Sequence, residues 1–455
     1  MMIPGDKSKA HANPTKAFFV RMITRDITLE DCIFDLIDNS VDGAWDLAGG
    51  RPLSLDDKTD LSAYKISIYV KEDGFEISDN CGGITLDDAA EYAFTFGRKQ
   101  DADTEKFSIG VYGIGMKRAV FKLGSEIEIR STYIDGDRLS SFRVPINVEQ
   151  WLASGDGNWD FDIEEEDDLE QPGVRISVAQ LTGAARRSFA SPRFVLNLRR
   201  AIARDYALHL NRGLVIEVQG RTVPGRIIEL REGGEFTPMR AQFENQQEEE
   251  RVFVEILAGM AAPPPDDSEP SEDYDEGQNN SGWYVVCNGR IVLAADKTAI
   301  TGWGTEGWPQ WHPQYTGFVG FIIFSSQRAD LLPLTTTKRS VDETSAIYRQ
   351  YRPKMREATK EWISYTNTRK QIRDEAAKQE RVAKAIPIFE VEVRQEVQLP
   401  KIEPKPKIPE ANVLYTVPRS RLRNLASAFG NINMAYKDVG LRSFEYAFED
   451  LVGDE

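Results

Sequence analysis

The segment DLIDNSVDGAWD, which begins at Asp35, carries acidic and amide side chains whose spacing could bind a hard cation. At about 100° per residue, a helix would place Asp35, Asn39, Asp42 and Asp46 on one narrow stripe, with Asp38 beside it. An amide within a row of carboxylates suits Mg²⁺, which prefers oxygen ligands. The alternative is a surface helix with a solvated acidic edge, which is the commoner origin of such a stripe.

An amphipathic helix over residues 28–48 would present this stripe. The run Thr28-Leu29-Glu30-Asp31 is typical of a capping box that starts a helix. Apolar residues recur at helical spacing on the opposite face, which would therefore lie against a core. These residues are Leu29, Cys32, Ile33, Leu36, Ile37, Ala44 and Ala48.

Two further motifs contain glycines beside polar residues. ISDNCGGI (77–84) ends a predicted strand at Asp79 and turns on two glycines, whereas SIGVYGIGMKRA (108–119) leads into a predicted helix at Lys117. Glycines at such a helix start let backbone N–H groups close on phosphate oxygens, and the helix dipole favours anions. Taken alone, each motif is also typical of a tight turn.

Length and composition limit the class of protein. A chain of 455 residues suggests two or three domains, and a formal charge of −17 disfavours a general polyanion binder. Cys32, Cys81 and Cys287 lack metal-ligand spacing and fit a reducing cytoplasm. We find no apolar run of about twenty residues and no signal peptide, so we expect a cytoplasmic protein without membrane insertion.

The order and spacing of the three motifs resemble those of the Bergerat-fold, or GHKL, ATPases. The matching pattern is Asp35-x-x-x-Asn39, then Asp79-x-x-Gly82-Gly83, then Gly110-x-x-Gly113-x-Gly115. This superfamily includes DNA gyrase B subunits, ninety-kilodalton heat-shock chaperones, MutL mismatch-repair proteins, MORC proteins and histidine kinases. DNSVDGA, FTFGRK and GIGMKRA are most similar to MORC and MutL sequences.

The resemblance implies an α+β protein that begins with a Bergerat α/β sandwich ATPase domain at residues 15–185. VVCNGRIV and LTTTKRSVD resemble parts of the MutL and MORC transducer domain. Residues 186–345 would accordingly form a transducer-like, ribosomal-protein-S5-like α+β domain. Its proline-rich acidic insertion, 262–282, has the composition of a disordered loop. A long helix or coiled coil (346–390), a proline-rich linker (391–412) and a small C-terminal interaction module (413–455) would follow.

Carried onto this sequence, the resemblance implies that ATP binds together with Mg²⁺, which Asn39 would hold. Asp35 would be the general base for hydrolysis, and Asp79 would accept the adenine amino group. Gly83 would let the adenine ring approach the backbone, and Lys338 would reach the γ-phosphate from the second domain. The other implied nucleotide-binding residues are Asp42, Ile84, Lys99, Gly110, Val111, Gly113, Ile114, Gly115, Met116 and Lys117.

Departures from the superfamily pattern keep alternatives open. Asp35 replaces the usual Glu, Cys81 replaces the usual first glycine of the adenine loop, and Val174 replaces a usual Thr. A shorter base could slow hydrolysis, so a nucleotide-gated binding module with little or no turnover is the alternative to an ATPase. A GHKL-type protein kinase is less favoured, because no histidine has the helical setting of a phosphoacceptor; the histidines are His11, His209 and His312.

The resemblance also implies that ATP closes a lid at 97–124 and drives N-terminal homodimerisation. The dimer would act on a protein partner, for which a nuclease is one candidate, in DNA repair or in antiviral defence against phage. The arginine-rich segment 186–212 could contact nucleic acid. The net charge does not support that interpretation, and a helix joining two domains is the simpler one.

Overall fold

The structure, a computed structural model, describes residues 14–50, 54–95, 113–166, 171–247, 250–265, 280–400, 411 and 413–453. The chain divides into two compact units, Met1–Ile402 and Glu403–Glu455. Helices and strands occur together throughout the first unit, which confirms the predicted α+β class. Within the described ranges, no helix is both long and apolar enough to cross a membrane.

Eight strands form the first sheet, in the spatial order β5-β4-β3-β6-β2-β1-β7-β8. They are β1 (Lys65–Val70), β2 (Gly74–Asp79), β3 (Gly124–Asp135), β4 (Arg138–Asn147), β5 (Glu164–Glu165), β6 (Gly173–Leu181), β7 (Val215–Val218) and β8 (Arg221–Thr222). Neighbouring strands run antiparallel, except that β1 and β7 are parallel. Because β7 and β8 belong to this sheet, it continues past residue 185, where the sequence placed the end of the first domain.

Helices cover one face of the first sheet. They are α1 (Lys16–Arg25), α2 (Leu29–Leu47), α3 (Gly115–Leu123), α4 (Val148–Ala153), α5 (Gly183–Phe189), α6 (Pro192–Asp205) and α7 (Ala207–Asn211), with a helical turn at Leu86–Asp88 that continues as a π-helix at Ala89–Ala93. Ile33 and Ile37 of α2 join Ile68, Ile129 and Leu198 in one buried cluster. This core fixes α2 against the strands and α6, as the apolar face of the predicted helix required.

Seven strands follow: β9 (Glu229–Glu232), β10 (Met239–Gln247), β11 (Glu250–Met260), β12 (Gly282–Cys287), β13 (Arg290–Asp296), β14 (Phe318–Ser325) and β15 (Lys384–Pro387). Five of them form a second sheet in the order β10-β11-β14-β12-β13, and β9 pairs with β15. Side chains alternate across β14: Phe318 and Ile322 enter one core, and Phe321 and Ile323 enter the other. Of the predicted acidic insertion, residues 266–279 lie outside the described residues.

Residues 346–390, predicted as one long helix, form α8 (Ala346–Arg369), α9 (Arg373–Glu380) and then β15. Glu380 accepts hydrogen bonds from Arg369 Nε and Tyr365 Oη, each at 2.6 Å, and so folds α9 back on α8. Trp362 of α8 is buried in the core of the second sheet. This helix is therefore part of a packed domain.

The first part of the predicted proline-rich linker also packs on the second sheet. Arg394 and Gln398 form isolated β-bridges with Arg240 and Thr237, whereas residues 401–410 and 412 lie outside the described residues. The second compact unit contains α10 (Arg419–Ala428) and α11 (Tyr436–Val452). Short 3₁₀-helices occur at Ala299–Thr301, Pro313–Tyr315, Ala329–Leu331 and Ile388–Glu390.

Because β14 is buried on both faces, two isoleucine substitutions should differ greatly in their effect on the free energy of unfolding. Ile322 is fully buried in β14, whereas Ile227, in a loop of the same unit, is 64% exposed. We expect Ile322→Ala to lower the free energy of unfolding by about 2–5 kcal/mol, because it removes apolar contacts and leaves a cavity. Ile227→Ala should change it by less than about 0.5 kcal/mol. Denaturant titration measures both values, and equal losses would contradict the described packing.

Candidate functional site

Helix α2 begins where the capping box was predicted. Thr28 Oγ1 accepts a hydrogen bond from the Asp31 N–H at 3.1 Å, and the Asp31 carboxylate accepts one from the Thr28 N–H at 3.3 Å. The two caps satisfy N–H groups that the first turn of a helix leaves unpaired. The start of α2, and hence the position of every residue on its polar stripe, is therefore set locally.

The polar stripe of α2 is buried at one end and open at the other. Asp35 is 2% exposed and Asp38 is fully buried, whereas Asn39 and Asp46 are exposed and Asp42 is half-buried. The alternative of a solvated acidic edge therefore fails for Asp35. Its carboxylate lies inside the protein, where it needs a compensating charge.

Asp79, at the end of β2, is held by three hydrogen-bond donors. Its Oδ2 accepts from Ser40 Oγ at 2.6 Å, and its Oδ1 accepts from the N–H groups of Cys81 at 2.9 Å and Val174 at 3.3 Å. Burial raises the pKa of the Asp79 carboxyl, and these hydrogen bonds oppose the rise. A carboxylate offers about four acceptor positions, so the three donors among the described residues leave one for a ligand donor such as an amino group.

The turn after Asp79 needs glycine for reasons of packing. At Gly83, where φ is +78°, an added Cβ would lie 2.0 Å from the Thr132 carbonyl oxygen, and at Gly173 it would lie 2.0 Å from that of Asp79. Ile84 is fixed by Ser131, whose Oγ accepts from its N–H at 2.7 Å and donates to its carbonyl at 2.8 Å. The loop that follows Asp79, residues 80–84 (the Asp79 loop), is therefore held between α2, β3 and β6.

The glycine motif before α3 lies next to Asp35. An added Cβ on Gly115 would come within 3.3 Å of the Asp35 Cγ atom, so the N-terminus of α3 packs directly on that carboxylate. Gly113 has a φ of +64°, and the neighbouring Ile114 is half-buried while Met116 is buried. Three candidates from the sequence lie outside the described residues: Lys99, Gly110 and Val111.

Lys117, predicted to lie near the phosphates, is engaged elsewhere in the structure. Its ammonium donates to the carbonyl oxygens of Ala93 at 2.9 Å and Thr95 at 2.5 Å. Burial lowers the pKa of Lys117 to about 8. The lysine thus ties the start of α3 to the chain segment that precedes residue 96.

Two cations flank the Asp35 carboxylate. Arg118 Nε lies 2.6 Å from its Oδ2, and Lys338 Nζ, from the loop after β14, lies 3.2 Å from its Oδ1. Arg118 also donates to the carbonyl oxygen of Thr336 at 3.3 Å. The α2 helix, the α3 helix and the Lys338 loop therefore meet at one carboxylate.

Asp38 joins the same cluster from the next position on α2. Its carboxylate pairs with Lys338 Nζ at 2.9 Å, with the Arg290 guanidinium, and with Tyr206 Oη at 2.8 Å. Burial opposes the charge on Asp38, but Arg290 and Lys338 outweigh it and hold the pKa of this carboxyl below its ordinary value. Burial likewise opposes the charge on Lys338, but Asp38 and Asp35 raise its pKa.

Arg339 completes the junction between the two sheets. Its guanidinium pairs with Asp31 of α2 and, at 3.0 Å, with Asp205 of α6, and it lies over the Phe34 ring at 4.3 Å. None of the sequence motifs predicted Arg118, Asp38, Arg290 or Arg339 as a site residue. Their positions in the sequence could have indicated them, because each lies beside a candidate residue or within a motif that carries the resemblance.

The donor set fits a cation that arrives with phosphates. Mg²⁺ takes about six oxygens in an octahedron, usually one or two from the protein and the rest from phosphates and water. Asn39 offers one exposed amide oxygen, one helical turn after Asp35. Across the described ranges, no group of three or more His, Cys, Asp or Glu side chains could hold a metal unaided. Asn39 would therefore serve as a single protein ligand beside a polyphosphate.

One known family is similar to the N-terminal part of the chain. Residues 27–154 match the family model described as histidine kinase-, DNA gyrase B- and HSP90-like ATPase. The match includes α2, the Asp79 loop and α3, and it ends before Arg290 and Lys338. No curated protein matches the chain. Residues 27–154, within the N-terminal α+β part of this chain, are therefore similar to a GHKL-type ATPase domain.

Proposed function

We propose that this chain binds Mg–ATP along α2, hydrolyses it, and transmits the presence of the γ-phosphate to the second sheet. The observation that carries the proposal is the contact between Lys338 and Asp35, at 3.2 Å. It brings a cation from the second sheet to the N-terminus of α3, where backbone N–H groups and the helix dipole favour an anion. A terminal phosphate bound there would lie between both domains.

The remaining roles follow from the positions of the side chains. Asp79 would accept the adenine amino group through its remaining acceptor position, and Gly83 would form the floor of the adenine site. Asn39 would hold Mg²⁺, which neutralises phosphate charge when bound. The other nucleotide contacts proposed from the sequence are Asp42, Ile84, Lys99, Gly110, Val111, Gly113, Ile114, Gly115, Met116 and Lys117. For Lys117 the contact would be indirect, through the Ala93 and Thr95 carbonyls.

Hydrolysis would use Asp35 as the base. A water oxygen would form a bond to the γ-phosphorus while the bond from that phosphorus to the β–γ bridging oxygen breaks, giving ADP and inorganic phosphate. Asp35 would accept the proton that the water loses, and Lys338 would neutralise charge on the phosphate oxygens. Asp35 can act in this way only when a carboxylate oxygen faces the water.

A second candidate function is a nucleotide-gated binding module with little turnover. Both oxygens of Asp35 contact a cation, Arg118 on one side and Lys338 on the other. A carboxylate engaged in this way is poorly placed to accept a proton. If ATP binding left both contacts intact, the nucleotide would change the conformation without being hydrolysed efficiently.

A protein kinase is disfavoured by the surroundings of the histidines. His209 is buried, and its Nδ1 accepts a hydrogen bond from Trp45 Nε1 at 3.2 Å, so it cannot present a nitrogen to a phosphate donor. His312 caps a 3₁₀-helix through its Nδ1. His11 lies outside the described residues.

The proposed partners are a second copy of the chain and an unidentified protein, for which a nuclease is one candidate. The resemblance to MORC and MutL proteins motivates this proposal, together with a pathway in DNA repair or antiviral defence. The C-terminal unit supports a docking role, because α11 exposes Leu441, Phe444 and Leu451 by more than half. A nucleic-acid role for residues 186–212 gains little support, since Arg199 donates to backbone carbonyls and Arg204 pairs with Asp205.

Removing the charge of Asp79 should weaken nucleotide binding. Asp79→Asn replaces a charged acceptor of the adenine amino group, which is worth about 1.5–3 kcal/mol. We expect the affinity for ATP to fall roughly tenfold to hundredfold by calorimetry. Asp73→Asn, at an exposed position of the same hairpin, is the control. Parental ATP affinity in a folded Asp79→Asn protein would refute the adenine assignment.

Asp35 and Asp46 stand at opposite ends of the stripe and should differ in their effect on turnover. Asp35→Asn should retain ATP binding while the hydrolysis rate falls on the order of 10²-fold or more, the scale of losing a general base. Asp46→Asn should hydrolyse ATP at close to the parental rate. A parental rate in Asp35→Asn would move the base elsewhere, whereas an unmeasurable parental rate with tight ATP binding would favour the nucleotide-gated module.

Nucleotide-driven association of two chains can be tested by measuring the molar mass of the protein in solution. Light scattering at micromolar protein should give about 51.3 kDa per chain without nucleotide, or twice that if the C-terminal unit already tethers two copies. A non-hydrolysable ATP analogue should convert monomers to dimers, or should compact tethered dimers. Asp79→Asn should need a roughly tenfold to hundredfold higher analogue concentration for the same response. An unchanged mass and an unchanged hydrodynamic radius at saturating analogue would exclude the dimerising clamp.

A further inference from the structure

Arg118 occupies a position that the proposed reaction leaves without a role. It lies in the first turns of α3 and is 7% exposed, so its guanidinium is inside the protein. Its Nε contacts Asp35 Oδ2 at 2.6 Å, and its Nη1 contacts the Thr336 carbonyl oxygen at 3.3 Å. One side chain thus bridges the proposed base and the loop that carries Lys338.

Among the described residues, three cations directly contact the carboxylates of Asp35 and Asp38, namely Arg118, Lys338 and Arg290. The Asp35 carboxylate lies against the N-terminus of α3, where the helix dipole favours an anion. Asp35 therefore occupies a place in which a phosphate could replace it as the anion that faces Arg118 and Lys338.

Arg118 is the cation best placed to bind such a phosphate. Arg290 is committed to the fully buried Asp38, and Lys117 is committed to two backbone carbonyls. A guanidinium has five N–H donors in a planar fork that suits phosphate, and the described contacts of Arg118 use two of its nitrogens. It can therefore bind a phosphate oxygen while keeping its contact with the Lys338 loop.

We propose that Arg118 is a second residue, besides Lys338, through which this chain distinguishes ATP from ADP. On ATP binding, its guanidinium exchanges the Asp35 carboxylate for the γ-phosphate, and Asp35 gains an oxygen that faces the attacking water. ADP has no γ-phosphate, so Asp35 stays paired with Arg118 in the ADP complex. The inference rests on the proposed ATP site, and it adds the step that makes the base available only when ATP is bound.

The principal test compares affinities for a non-hydrolysable ATP analogue and for ADP, measured by calorimetry on the full chain. Arg118→Gln should bind the analogue roughly tenfold to hundredfold more weakly, the scale of a charge-assisted hydrogen bond. Its ADP affinity should stay within about twofold of the parent. Arg130→Gln, whose arginine pairs with Glu128 on β3, is the matched control and should alter neither affinity.

A double-mutant cycle separates phosphate binding from a purely structural pairing with Asp35. In an Asp35→Asn background, Arg118→Gln should still lower affinity for the analogue relative to ADP, because the phosphate contact does not need the carboxylate. If the preference for the analogue is then unaffected, Arg118 only pairs with Asp35 and the proposal fails. Equal losses of analogue and ADP affinity in folded Arg118→Gln would also overturn it.

Arg118→Lys keeps the test decisive if the glutamine variant does not fold. Lysine retains the charge but lacks the planar fork, so the preference for the analogue should fall severalfold, and an unchanged preference would refute the role. The parent protein and Asp79→Asn distinguish the two levels of failure. If the parent does not bind the analogue, the proposed function fails. If the parent binds the analogue, but the Arg118 variants keep the parental preference for the analogue over ADP, this inference alone fails.

Discussion

The burial of the Asp38 carboxylate is the constraint on which the arrangement of the two sheets depends. Asp38 belongs to α2, whereas two of its partners, Arg290 and Lys338, belong to the second sheet and the loop after it. A buried charge that loses a partner costs about 3–5 kcal/mol, because the remaining charge has no water to compensate it. The second sheet therefore cannot leave α2 unless another set of charges replaces this one. Movement between the domains requires an exchange of ion pairs.

Lys338 has an uncommon backbone conformation. Its φ is +55°, a region that non-glycine residues enter at a cost of about 1–3 kcal/mol. A turn hydrogen bond from its N–H to the Thr335 carbonyl at 2.9 Å fixes the loop, and the neighbouring Arg339 anchors it to Asp31 and Asp205. Asp31 also caps α2, so the residue that starts the helix is the one to which the loop is tied. The ends of the ion-pair cluster are thus fixed, while its centre at Asp35 has two competing cations.

The sequence predicted those features of the structure that depend on a few neighbouring residues. The capping box at Thr28, the strand that ends at Asp79 and the glycine before α3 follow from periodicity and turn chemistry over a few residues. The partners of the carboxylates could not be predicted in this way, because Arg118 lies 83 residues from Asp35, and Lys338 lies 300 residues from Asp38. A helical period describes two faces of a helix, and it gives no indication that a second domain covers the polar face as well. Lys117 shows the same limit: its place beside glycines suggested phosphate, but burial directs it to backbone carbonyls.

The site therefore combines a rigid half with an exchangeable half. In the rigid half, Asp79 has three donors, and Gly83 and Gly173 admit the backbone so closely that no side chain would fit. A ligand group that binds there meets a surface already formed, and binding alone gives the protein little reason to change shape. In the exchangeable half, Asp35 already occupies the position of an anion between Arg118 and Lys338. A phosphate at that place would compete with the protein's own carboxylate, and only a ligand with different contacts in two states can shift the population between them. Under the proposed function, this division would let one site bind ATP and ADP through the same adenine contacts and respond only to ATP.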